Sequence, residues 1–149
     1  MTNIKVNELR LMQLLQVRGL KEIDNICKKL EIKYFIIAGT LLGAVRHDGF
    51  IPWDSDSDIG MLREDYKKFI LNANNLLSED YIVQSDHNDE KNKNFFARLR
   101  IKSTSFVEEG NKRDSKFDGF YIDIFPIDNA MKKPSFFDLI LKKIIKLLI

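Results

Sequence analysis

A change of hydrophobic period near residue 33 constrains this chain more than any other feature. Leu9, Met12, Leu15, Leu20, Ile23, Cys27 and Leu30 recur mostly at three- and four-residue steps, so one helix with a core-facing stripe is predicted from Asn7 to about Leu30. Gly19 costs such a helix about 1 kcal/mol against alanine, and a kink or break is expected there. The run Tyr34-Phe-Ile-Ile-Ala38 is then wholly apolar, ends at Gly39 and reads as a buried strand. Leu41 to Arg46 has room for a short helix. Gly49 and Pro52 make His47 to Trp53 an aromatic loop. Strand is predicted over Asp54 to Met61, helix over Arg63 to Leu77 and a solvated loop over Ser85 to Asn94. Phe95 to Lys102 alternates with a period of two, and Thr104 to Val107 is its candidate hairpin partner. Glu108 to Asp118 reads as a charged loop, and Phe120 to Phe125 as a further strand ending at Pro126.

The length of 149 residues, 44% of them apolar, suits one core. A catalytic domain is expected over 1–134, followed over 135–149 by an amphipathic helix that begins a longer C-terminal part. A net charge of +2 supplies no bulk field for nucleic acid, so no nucleic-acid partner is expected. One cysteine, the core candidate Cys27, excludes an internal disulfide, and with only His47 and His87 beside it no structural zinc cage can be assembled. The N-terminal residues lack a secretory signal pattern, and no apolar run is long enough to span a bilayer. A cytoplasmic protein is expected, peripheral at the inner membrane face through weak association of the lysine-bearing tail.

The chemistry concentrates in Asp54-Ser-Asp-Ser-Asp58. On an extended strand its three carboxylates would share one face, with no interleaved lysine or arginine to relieve their repulsion. Mg²⁺ or Mn²⁺ would relieve it, because such ions take one or two carboxylates together with substrate phosphates. A solvated turn is the plain alternative. An EF-hand loop fits poorly, since its sixth and twelfth positions hold Ile59 and Asp65 where glycine and glutamate belong. Asp123, between Ile122 and Ile124, would offer another carboxylate from a neighbouring strand, and Asp128 reads equally as a turn cap. Gly39 and Thr40 can cradle phosphate at a strand-to-helix turn or merely end the strand. Arg98, Arg100 and Lys102 share a strand face that could bind pyrophosphate or line a solvated surface. Arg46 and His47 could meet a phosphate or sugar hydroxyl, and Phe50 and Trp53 could stack on a base or simply anchor the loop.

The segment Gly39-Thr-Leu-Leu-Gly-Ala-Val-Arg-His-Asp-Gly-Phe-Ile-Pro-Trp-Asp-Ser-Asp-Ser-Asp-Ile-Gly-Met61 closely resembles the central signature of the LicD family of phosphocholine transferases, relatives of the fukutin-type ribitol-phosphate transferases. Ile122-Asp-Ile-Phe-Pro126 resembles a second family element. The resemblance implies an α+β fold, a nucleotidyltransferase-like mixed β-sheet with flanking helices. It also implies divalent-metal-dependent transfer of a phospho-alcohol, typically phosphocholine from CDP-choline, to a hydroxyl of a cell-surface glycan such as lipopolysaccharide, teichoic acid or capsule. By position, Asp56 and Asp58 look like the metal pair. Asp123 resembles a third carboxylate, either metal ligand or general base, and Gly39 and Thr40 resemble the element that holds the nucleotide phosphates. Asp54, Arg46 and His47 match motif positions without assigned roles. The family pattern reads Trp-Asp-Asp-Asp-apolar-Asp, so Ser55 and Ser57 are departures, and Ser57 would bury a hydroxyl behind the metal strand. Nucleotidyl transfer to a small phosphate or a protein hydroxyl, and a non-catalytic metal-binding module, are the alternative readings.

Overall fold

The computed structural model describes residues 6–90, 92, 94–102, 104–105 and 117–129. The charged loop over 108–118, most of the proposed hairpin partner over 104–107 and the tail over 135–149 therefore lie outside or largely outside the described residues.

The helical period of the N-terminal third forms α1 (Val6–Lys29), which runs through Gly19 without a break. The expected kink is absent for a tertiary reason. A Cβ at Gly19 would stand 2.8 Å from Ile122 Cδ1 and 3.4 Å from Leu99 Cδ2, so glycine lets the helix lie directly on the sheet. There follow β1 (Tyr34–Ile36), α2 (Ala38–His47), β2 (Asp58–Leu62) and α3 (Arg63–Asn72), which ends in a 3₁₀ turn, and then β3 (Tyr81–Gln84), β4 (Ala97–Ile101) and β5 (Tyr121–Ile127).

The five strands form one sheet in the order β1-β2-β5-β4-β3. β2 and β5 pair in parallel, while the other neighbours are antiparallel, so the sheet is mixed as expected. Two of these strands, β1 and β5, correct the expectations, and β3 has no counterpart among them. β1 is an edge strand with Phe35 exposed, because only β2 pairs with it. β3 was hidden beside the polar stretch that follows it. β5 continues through Pro126, which pairs with Met61 on β2. β4 pairs only as far as Ile124, so the proline falls where one side of the strand has no neighbour in the ladder.

Strand alternation sorts the residues onto two faces. Ile36, Ile59, Ile124 and Ala97 form one cross-strand row, and with Met61, Leu99, Ile122 and Val83 they bury against Ile23, Ile26 and Cys27 of α1 and Tyr66, Phe69 and Ile70 of α3. Each such large side chain contributes about 1.5–3 kcal/mol by leaving water. The adjoining row is Asp58, Asp123, Arg98 and Gln84, one residue from each of β2, β5, β4 and β3, facing the other way. The apolar layer therefore fixes the register that lines these polar groups up. No helix among the described residues is long and apolar enough to cross a membrane.

Candidate active site

The acidic pentad is not a strand over its whole length. β2 begins only at Asp58, and Asp54 to Ser57 forms the loop leading into it, entered by a turn in which Asp54 N–H donates to the Ile51 carbonyl at 2.9 Å. Hydrogen bonds that anchor the loop, more than strand alternation, therefore place these carboxylates. Asp58 N–H donates to Thr40 Oγ1 at 2.7 Å, tying the start of β2 to α2. Asp123 N–H donates to the Ser57 carbonyl at 2.9 Å, tying the loop to β5. Asp123 lies directly beside Asp58 in the parallel register. Gly39 has a steric role: a Cβ there would come within 2.8 Å of Asp54 Oδ2. The turn before it holds Ala38 at a φ of 48°, a left-handed conformation that costs a non-glycine residue about 1–2 kcal/mol.

Crowding and burial shape the charges. Burial, reinforced by neighbouring Asp54, pushes the Asp56 carboxyl up to about 6. Burial and Asp56 raise Asp58 in turn. Asp123 is pushed up to about 6, mainly by burial, with Asp58 and Asp56 acting in the same direction and Arg98 opposing them. Arg98 Nε donates to Asp123 Oδ1 at 2.9 Å, and these side chains are only 14% and 12% exposed. The basic face of β4 is accordingly no solvated surface. The Arg98 guanidinium lies 4.0 Å from the Tyr121 ring centre, and the buried Arg100 is held by Gln84 Oε1 and the Gly119 carbonyl. Lys102 follows the end of β4 remote from Arg98, is exposed, and donates its backbone N–H to the Asp80 carbonyl. Asp128 forms an exposed ion pair with Arg63.

Beside the acidic loop, α1 and α2 enclose a cleft of about 470 Å³ lined by, among others, Arg10, Gly39, Thr40, His47, Phe50 and Asp54. Trp53 is 77% exposed and meets His47 edge to face at 6.3 Å between ring centres, so it does not anchor the loop by burial. Arg46 is exposed on α2 outside that lining. The structure therefore gathers Asp54, Asp56, Asp58, Asp123, Gly39, Thr40 and Arg98 around one end of the sheet, with His47 across the cleft. Arg46 and Lys102 stand apart.

The sequence reading missed Gln13 and Gln16. Both are buried in α1 and reach the acidic loop, Gln13 Nε2 donating to the Asp54 carbonyl at 2.9 Å and Gln16 Nε2 to the Ser55 carbonyl at 2.6 Å. Ser57 is wholly buried as expected, and its hydroxyl donates to Gln16 Oε1 at 2.5 Å. A signal was present: Gln16 stands four residues after Met12 and four before Leu20, on the apolar stripe where a polar side chain needs a partner.

Among the described residues no three carboxylate, histidine or cysteine side chains form a ready-made metal cage. Asp56, Asp58 and Asp123 are hard oxygen donors near the Gly39-Thr40 turn, the donor type that Mg²⁺ or Mn²⁺ takes.

The family profile described as LicD/FKTN/FKRP, nucleotidyltransferase domain, matches residues 31–140. The lipopolysaccharide cholinephosphotransferase LicD of Haemophilus influenzae is 32% identical over 143 aligned residues, covering 91% of this chain and 50% of that protein. The chain thus spans about half the length of that relative. Ribitol 5-phosphate transferase FKRP of Homo sapiens is 38% identical over 53 residues, covering 33% of this chain and 11% of that protein. The chain belongs to the LicD/FKTN/FKRP family, and its sheet, acidic loop and Gly39-Thr40 turn form its nucleotidyltransferase domain.

Proposed function

We propose that the chain is the donor-binding domain of a divalent-metal-dependent transferase that moves a phospho-alcohol, phosphocholine in the leading case, from a CDP-activated donor to a glycan hydroxyl. The observation that carries this reading is the parallel register that sets Asp58 beside Asp123, with Asp56 and the Gly39-Thr40 turn adjacent. Asp56 and Asp58 would hold Mg²⁺ or Mn²⁺, which would neutralise diphosphate charge. The backbone N–H groups at the start of α2, Ala38 to Thr40, would meet the same anionic groups. Arg98 keeps Asp123 in place and offsets part of the local negative charge. In the transfer, the acceptor hydroxyl oxygen bonds to the distal phosphorus, the bond from that phosphorus to the bridging oxygen breaks, and CMP leaves. Asp123, pushed up to about 6, is poised to accept the hydroxyl proton. Little covalent chemistry is asked of the protein, and positioning with charge neutralisation carries the rate. The Haemophilus relative, a lipopolysaccharide cholinephosphotransferase, supports the choice of alcohol and a glycan acceptor. An acceptor built on lipid would suit an enzyme working at the inner membrane face.

The test is calorimetric titration of CDP-choline into the protein with and without Mg²⁺. Metal-dependent binding that disappears in Asp56→Ala/Asp58→Ala is expected; equally negligible heat in both proteins would remove the proposal. Pyrophosphate release from CTP or ATP would favour nucleotidyl transfer instead.

A further inference from the structure

The acidic loop is held from one side by a helix that precedes the residues matched by the family profile. Gln13 and Gln16, three residues apart on α1, point side by side into the loop and are 4% and 0% exposed. Gln16 uses both ends of its amide, donating to the Ser55 carbonyl at 2.6 Å and accepting from the Ser57 hydroxyl at 2.5 Å. Gln13 donates to the Asp54 carbonyl at 2.9 Å and, at 3.5 Å, to the Ile51 carbonyl, while its own oxygen accepts from Arg10 at 3.2 Å. Two amides therefore reach both ends of the turn and both serines flanking Asp56. From the opposite side the loop has the Thr40 hydroxyl and the backbone N–H of Asp123.

A loop carrying several mutually repelling carboxylates tends to splay, and its local restraint, the Ser55 N–H donating to Asp54 Oδ1 at 3.1 Å, ties only neighbouring residues. Amides suit the task, since they bind main-chain carbonyls without adding charge to the site. The Gln16 amide also satisfies the wholly buried Ser57 hydroxyl. No buried side-chain nitrogen or oxygen lacks a hydrogen-bond partner among the described residues.

We propose that Gln13 and Gln16 are positioning residues that clamp the acidic loop in the conformation that receives the cation, with Gln16 and Ser57 acting as one coupled unit. The proposal rests on the metal-dependent reading above and extends it to α1. Without the clamp the carboxylates would relax apart and a cation would lose ligands, while the clamping groups themselves act on the loop backbone and the Ser57 hydroxyl.

The test measures Mn²⁺ binding by the paramagnetic resonance of the free ion, with thermal unfolding of the metal-free chain recorded alongside. Ser57→Ala removes one hydroxyl with minimal disturbance of the fold, and Gln16→Met keeps the side-chain volume. Each single variant is expected to weaken Mn²⁺ binding about tenfold, which corresponds to about 1.4 kcal/mol. The double variant should lose no more than the weaker-binding single, as expected for partners in one contact. Gln13→Met should weaken binding independently and add to Ser57→Ala. Variants that melt earlier yet bind Mn²⁺ like the parent would overturn the clamp and leave a merely structural role. Additive losses for Gln16→Met and Ser57→Ala would overturn the coupling. A parent chain that binds no Mn²⁺ would defeat the metal-dependent reading itself, an outcome distinct from both.

Discussion

Replacing Gly43 by alanine sets helix propensity against a steric contact that only the folded structure contains. Gly43 lies inside α2, where alanine is favoured by about 1 kcal/mol. A Cβ there, however, would stand 2.5 Å from the Gly49 carbonyl oxygen, 2.8 Å from Ile51 N and 3.2 Å from Phe50 C. All three atoms are backbone and cannot rotate away, so the 49–51 loop must withdraw by about 1 Å, an overpacking of the kind that costs about 1–3 kcal/mol. The balance is a net loss of up to about 2 kcal/mol and a fall in Tm of up to about 6 °C for a domain of this size. Because the Asp54 N–H bonds to the Ile51 carbonyl, the same withdrawal disturbs the acidic loop, and Mn²⁺ binding should weaken with it. Gly49→Ala is the control, since its Cβ would meet only the His47 carbonyl oxygen at 4.0 Å and stability should change by less than about 1 kcal/mol. Circular dichroism melts of the two variants decide the matter. A Gly43→Ala chain that melts above the parent would show that propensity dominates and that the close approach of α2 to the loop is wrong.

Three further outcomes follow from the site. Arg98→Met removes the partner of a largely buried carboxylate and should cost about 3 kcal/mol in urea unfolding, the low end for a broken buried pair; an unchanged midpoint would show that Asp123 does not depend on it. Gly39→Ala drives a methyl toward Asp54 Oδ2, so that carboxylate must turn aside and CDP-choline binding should weaken while the far-ultraviolet dichroism stays unchanged; parental affinity would refute a role for the tight approach. Asp56 and Asp123 both sit near 6 in the folded chain, so between about pH 4 and 6 the folded form holds more protons than the unfolded one. The metal-free protein should thus lose stability, and gain Mn²⁺ affinity, as pH rises through that window; affinity independent of pH would contradict the shifted carboxyls.

The sequence made the elements legible where one face alone decided them. α1 shows its period of 3.6, and β4 shows its alternation, because each has a buried side and another side that is largely polar. Gly19 was misleading, since its reason lies in Ile122, more than a hundred residues away, and propensity describes only the local chain. Tyr34–Ile36 was read as buried because apolar content cannot distinguish a central strand from an edge strand. β3, four residues long, carries too few side chains to show a period.

The site was legible as chemistry more than as geometry. Asp58 lies beside Asp123 in the ladder and Asp56 is near enough to raise both carboxyls, but Asp54 to Ser57 is a loop, so strand alternation does not describe how the pentad is arranged. Arg98 was seen as a candidate anion binder, whereas its contact with Asp123 depends on β4 lying next to β5. Gln13 and Gln16 act across 39 to 41 positions of sequence, a pairing that no local pattern reveals.

The central claim is that the carboxylates around Asp58 hold a divalent ion that a diphosphate donor shares. Crystals soaked with Mn²⁺ and CDP-choline test it most directly through anomalous scattering from the metal. The account predicts a manganese peak bonded to Asp56 and Asp58 and bridging to a donor phosphate. Clear donor density with no such peak, or manganese bound away from these side chains, would contradict it.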